Sequence, residues 1–143
     1  MKVLLEQIDA ERDRLRSLLD RMPASTVAQR PPDGTWSVLE NVRHLLFAEQ
    51  LHVGRLVVKA AAWSPLGFTP VTMREMRKLP PVEGEDIPRL ADVLSAWDDV
   101  HKEIVSHFSD VSSEDLQRAL DRNLKHLRAH VRVIERLARN AAK

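Results

Sequence analysis

The chain has 143 residues, room for one compact domain spanning 1–143. Hydrophobic residues make up 43% and charged residues 30%, and 22 Lys and Arg stand against 21 Asp and Glu. That balance fits a globular chain with a real core and excludes a strongly polyanionic or polycationic character. Cysteine is absent, which removes disulfides, thiolate metal sites and a cysteine nucleophile together. Tyrosine is absent too, so acid–base chemistry falls to six histidines and the carboxylates. No apolar run approaches the roughly 18 residues that span a bilayer. The start, Met1-Lys2-Val3-Leu4-Leu5-Glu6, meets charge too early for a signal peptide, so the expected compartment is the cytoplasm.

Leu4, Ile8, Leu15, Leu18, Leu19 and Met22 recur at the spacing of one helix face and predict a first helix over 2–22, stopped by Pro23. Pro31-Pro32-Asp33-Gly34 predicts a rigid turn. A second helix starts near Ser37, where Ser37 and Glu40 form an S-x-x-E capping box, and runs through Val42, Leu46, Val53, Leu56 and Val57 to about Ala62. Residues 63–86 hold four of the eight prolines and read as a long connection, with one helical turn from a second capping box at Thr72-Met73-Arg74-Glu75. A third helix takes Asp86 as N-cap and Pro88 in its first turn, then carries Leu90, Leu94, Trp97, His101, Ile104 and Phe108 on one face. The last begins at or after Ser112-Ser113-Glu114-Asp115, with a stripe of Leu116, Leu120, Leu124, Leu127, Val131, Ile134 and Ala138. Isolated amphipathic helices are marginal in water, so these must pack on one another. Two short connections and one long one predict an all-α four-helix bundle with a crossover between the second and third helices.

The informative positions are polar side chains on or beside the apolar faces. His126 and His130 are four apart on the last helix, stacked about 6 Å from each other. At 100° per residue they lie roughly 110° and 70° from the stripe centre, and Asn123 extends their row. Such a pair converges readily on one Zn²⁺ or Ni²⁺, although the same spacing also arises by accident on helix surfaces. His101 falls near the centre of its stripe, either as a neutral core histidine with one hydrogen-bond partner or as an acid–base residue facing a site. Glu49 lies in the middle of the second helix's apolar sector, where a carboxylate is costly unless paired or metal-bound. His44 sits at the border of that sector, and periodicity alone does not select it as a ligand. His52 and His107 read as solvated or boundary residues. Arg118, Arg122, Lys125, Arg128, Arg132, Arg136, Arg139 and Lys143 line the solvent side of the last helix. Asp121 and Glu135 interrupt that row and no aromatic interleaves it, so it reads as a solvated face rather than a nucleic-acid surface.

The run Trp36-Ser37-Val38-Leu39-Glu40-Asn41-Val42-Arg43-His44-Leu45, followed by Ala48-Glu49, resembles the W-S-x-x-E-x-x-x-H-L…A-E signature of the DinB-like superfamily of metal-dependent four-helix bundles. That family carries an H-x-x-x-H motif about eighty residues on; here His126 stands 82 positions after His44, with His130 four later. The resemblance covers nearly the whole chain. It implies a three-histidine site for a divalent metal, Zn or Ni, with His44, His126 and His130 as ligands. Three neutral imidazoles leave the ion dipositive with open positions, the pattern of a catalytic site. The resemblance further implies an enzyme, a transferase or hydrolase, acting on a small-molecule substrate with a bound thiol or hydroxide as nucleophile. Family members include transferases dependent on low-molecular-weight thiols such as bacillithiol or mycothiol, and one isomerase that uses mycothiol. Glu49 and His101 are then candidate catalytic residues for proton transfer or ligand orientation. Trp63, Phe68, Met73 and Met76 border the pocket or simply cap the bundle. The sequence departs from the family at R-G-Q-I after the last histidine, where Val131-Arg132-Val133-Ile134 puts Val133 in place of Gln.

Two other classes compete with the enzyme. One is a non-catalytic bundle that binds a metal or small ligand as a sensor or storage module. The other is an adaptor using the basic row, whose binding would weaken steeply with salt. Neither nucleic acid nor membrane is an expected partner, and the outer edges at Leu51 and Val58 would permit a homodimer.

Overall fold

The computed structural model describes residues 2–57, 64, 66–67 and 87–141. Helix α1 (Lys2–Asp20) closes in a turn as the Arg21 and Met22 amides donate to the Leu18 and Leu19 carbonyls. Pro23 then precedes a short helix, α2 (Ala24–Ala28), which five residues are too few to announce by periodicity. Ser37 caps α3 (Val38–Glu49) with both arms of the expected capping box: Glu40 N–H donates to Ser37 Oγ and Ser37 N–H donates to Glu40 Oε1. The helix continues through a π-helical turn, Gln50–Gly54, into α4 (Arg55–Val57). The Arg55 amide there reaches back five residues to the Gln50 carbonyl.

Helix α5 (Leu90–Ser106) begins later than the sequence suggested. Arg89 is its N-cap, in an extended conformation, so Pro88 precedes the helix instead of opening it. Its other end also differs, because Phe108–Asp110 form a 3₁₀ turn. Ser112 caps the start of α6 (Ser113–Ala141) by accepting from the Asp115 amide, as the sequence implies. The proposed N-cap Asp86, the Thr72–Glu75 capping box, Trp63, Phe68, Met73, Met76, Val58 and Lys143 lie outside the described residues.

Contacts across the bundle give the helix directions. Asp9, Arg12 and Arg16 on α1 meet His101, Asp98 and Leu94 on α5 in reverse order, so these two are antiparallel. Helix α3 runs antiparallel to α6, with Asn41 beside His130 and His44 beside His126. It runs parallel to α5, since Glu49 meets Trp97 and Gly54 faces Ile104. Two sequential helices lying parallel require a crossover, which is the bundle topology expected from the long 63–86 connection. The core is built from Ile8, Leu15, Val42, Leu46, Val93, Leu116, Leu124, Val131 and Ile134, all essentially inaccessible. Every residue of α3 except Arg43 is buried, so this helix is enclosed on all sides. Leu56, expected on the apolar stripe, is instead 41% exposed while Val53 and Val57 are buried. The π turn advances the chain by fewer degrees per residue and rotates the face beyond it. No helix among the described residues is long and apolar enough to cross a membrane.

A three-histidine candidate metal centre

The structure brings His44 of α3 together with His126 and His130 of α6, and one ligating atom from each falls within 4.8 Å of the others. His44 Nε2 and His126 Nε2 are 2.9 Å apart. The ring centroids of the trio are separated by 4.7, 4.7 and 4.4 Å. Three nitrogens bound at 2.0–2.1 Å to one tetrahedral ion would stand about 3.3 Å apart, so small ring rotations bring this set onto a single cation. The i, i+4 pair supplies two donors from one helix face, as its spacing suggests. His44 is the donor periodicity could not choose. On a helix buried all round, the border between apolar and polar sectors has no meaning, and His44 is buried.

The surroundings set these imidazoles in their ligating form. Burial, with the positive charges of protonated His130 and His52 opposing a further proton, pushes His126 down to about 4. Burial also lowers His130. Both are therefore neutral near pH 7, with a lone pair to give a cation. His126 Nδ1 is buried and has no hydrogen-bond partner among the described residues, which leaves its Nε2 as the donor facing the cluster. Trp36 meets the His44 ring edge-on at 5.4 Å, an apolar wall beside the site.

Asn41 fixes His130. Its Nδ2 donates to the Ser37 carbonyl at 2.8 Å, which turns Oδ1 toward His130 Nδ1 at 2.9 Å. An acceptor there requires His130 to carry its proton on Nδ1 and leaves the Nε2 lone pair for the centre. Ser37 is in turn held by Glu40, which forms a two-pronged ion pair with Arg30 at 2.8 and 2.6 Å. Burial would raise the Glu40 carboxyl, but the hydrogen bonds from Arg30 and Ser37 outweigh it and hold the group below its ordinary value. The W-S-x-x-E element thus works as a mechanical chain from Arg30 through Glu40, Ser37 and Asn41 to His130. Sequence reasoning passed over Asn41. Its position three before His44, one turn along the same face, was the available signal.

His52 was also passed over, and it is not a freely solvated side chain. Its Nδ1 lies 3.3 Å from Asn123 Oδ1, its ring meets that of His126 at 5.3 Å, and burial lowers its pKa. Eight residues of regular helix would put His52 roughly 80° from His44. The π turn carries it back toward the histidine cluster, yet it stands outside the three-donor set. His107 keeps its boundary position, beside Asp110 at 3.2 Å.

Glu49 and His101 form a second polar cluster, and the contacts they make are with each other and with α1 and α5. His101 Nδ1 is 2.9 Å from Glu49 Oε2, His101 Nε2 is 3.0 Å from Asp9 Oδ1, and Trp97 Nε1 donates to Glu49 Oε1 at 3.4 Å. Burial disfavours charge on His101, but the hydrogen bond and charge of Glu49, with Asp9 adding to them, raise its pKa above the ordinary value. It has two partners instead of one, both carboxylates that favour its protonated form, and this pairing helps make the buried Glu49 tolerable. A cavity of about 10 Å³, enough for a single water, separates this cluster from Asn123.

Three cations of the basic row of α6 have acidic partners. Arg118 pairs with Asp115, Lys125 with Asp121, and Arg128 lies 3.9 Å from Glu11. Arg136 departs from the row: with Val133 it lines a cavity of about 600 Å³ that also reaches His130 and Asn41.

No curated protein and no solved structure matches the chain. The family model of the DinB superfamily matches it over residues 7–141, a span holding Trp36-Ser37, Glu40 and all three clustered histidines. The chain belongs to the DinB superfamily.

Proposed function

We propose that the protein is a metal-dependent enzyme whose divalent ion, Zn or Ni, is held by His44, His126 and His130, and that it joins an intact low-molecular-weight thiol through its sulfur to the carbon of a small electrophile, the thiol proton and the electrophile's leaving group departing. The observation that carries this reading is the convergence of three imidazoles from two helices, two of them, His126 and His130, with lowered pKa, and with Asn41 fixing the tautomer of His130. Three neutral donors and no carboxylate leave a bound ion its full charge and an open position, which distinguishes catalytic from structural sites. Such an ion brings a thiol or a water to its anionic, nucleophilic form near neutral pH. The chain's own contribution is to present the donors, to hold His130 through Asn41, and to wall the site with Trp36. Glu49 and His101, 2.9 Å apart, would be the groups available for proton transfer or ligand orientation.

A panel of thiols and alkylating electrophiles, followed by mass spectrometry of the thioether product, tests this. Turnover in the Zn- or Ni-loaded protein that falls at least about a hundredfold in His130→Ala would support the assignment. Saturable metal binding with no turnover across the panel would favour the sensor or storage module instead.

A further inference from the structure

We infer that the cavity between the Pro31–Trp36 turn and the C-terminal part of α6 is a binding site for a ligand ending in a carboxylate, received by Arg136. The inference deepens the proposed function, since it places the ligand's other end at the three histidines. The cavity, about 600 Å³, has the size of a small-molecule site, and its lining mixes apolar, polar and charged side chains. At the inner end stand His130 and Asn41, which belong to the histidine centre. Trp36, Val133 and Leu137 supply apolar wall. Val133 matters here because a hydrogen-bonding side chain in its place would recognise a polar mid-section, whereas valine accepts only an apolar one. At the outer rim are Arg136 and Asn140.

Arg118, Lys125 and Arg128 of α6 have carboxylates within 4 Å. Among the described residues Arg122, Arg132, Arg136 and Arg139 of α6 have no carboxylate within 4 Å, and of these only Arg136 lines the cavity. Asp33 lines the same cavity, accepting from the Thr35 amide at 3.0 Å and from Thr35 Oγ1 at 2.7 Å; Arg136 is close enough to help hold its carboxyl below the ordinary value but makes no direct ion pair with it. The guanidinium fork is thus available to an incoming anion, and a carboxylate matches its two parallel donors. Arg136 stands six residues beyond His130, about 9 Å along the helix axis and roughly 120° around it. A ligand that reaches both ends therefore needs an apolar spacer of several carbons between its head and its carboxylate.

The carboxylate end can be tested without any metal. Metal-free, isotope-labelled protein is titrated with hexanoate and, separately, with 1-hexanol, and amide shifts are followed by NMR. Hexanoate is expected to bind about fivefold more tightly than hexanol, the scale of one partly solvated ion pair, with shifts at Val133, Leu137 and Asn140. In Arg136→Gln that preference should vanish while hexanol binding stays unchanged. Equal affinities in the unaltered protein, or a preference that survives Arg136→Gln, would overturn the inference. Repeating the comparison on Zn-loaded protein with 6-mercaptohexanoate and 6-mercaptohexan-1-ol separates the two readings. A thiol head that adds nothing would count against the metal function alone, because the Arg136-dependent preference for the carboxylate is measured independently.

Discussion

Replacing Asn41 by Ala removes the hydrogen bond that orients the His130 ring, and its consequences follow from the geometry. Asn41 is 2% exposed and makes two hydrogen bonds, at 2.8 Å to the Ser37 carbonyl and 2.9 Å to His130 Nδ1. Each is worth about 1 kcal/mol net, and the truncation leaves a buried imidazole N–H without its acceptor, so Asn41→Ala should cost about 2–3 kcal/mol of stability. Losing the partner that orients a metal-binding histidine typically costs 10–100-fold in affinity. Asn41→Asp separates the two effects. Its carboxylate still accepts from His130 but cannot donate to Ser37, so stability should fall while Zn affinity stays within about threefold of the original. Competition against a chromophoric chelator reads the affinity and urea unfolding reads the stability. Asn41→Ala binding Zn as tightly as the unaltered protein would refute the orienting role.

Other consequences are equally direct. Glu40→Ala breaks a buried ion pair and a capping box at once and should destabilise by about 3–5 kcal/mol in urea unfolding. Because Glu40 is held below its ordinary pKa of 4.5, its contribution is complete above that value and is lost as pH falls through the depressed one. His126, neutral and buried with a pKa of about 4, stabilises the metal-free protein above pH 6.5, and that contribution is lost as pH drops through about 4. His101 has the opposite sign. Its raised pKa gives stability that is full below 6.5 and disappears as pH rises through the folded value. Glu49→Gln should flatten this alkaline limb in a pH series of melting curves. His52→Ala should leave metal stoichiometry unchanged, since His52 stands outside the three-donor set; loss of metal in that variant would mean the set is wrong.

Much of this arrangement was legible in the chain itself. The capping box at Ser37 and Glu40, the i, i+4 pair at His126 and His130, and the crossover implied by a proline-rich connection all rest on local chemistry, and local chemistry survives folding. What escaped notice was set by tertiary context. A helical wheel drawn at a fixed 100° cannot register the π turn at Gln50–Gly54, so it puts Leu56 in the core and leaves His52, read as solvated or boundary, without its place beside His126. The same wheel left His44 at a border that does not exist on an enclosed helix, and only the family signature chose it as a ligand. Asn41 carries no motif of its own. Its role depends on meeting α6 across the bundle, a contact between residues 89 positions apart. Arg136 is exposed, as the wheel has it, but the wheel cannot show that it also borders a cavity beside the Pro31–Trp36 turn.

Elemental mass spectrometry of the untagged protein, beside His44→Ala, bears most directly on the metal centre. About one Zn or Ni per chain in the unaltered protein, lost when His44 is removed from the three-donor set, is the predicted result. A protein that purifies empty and also refuses added Zn and Ni, or a His44→Ala variant that keeps its full metal complement, would contradict it.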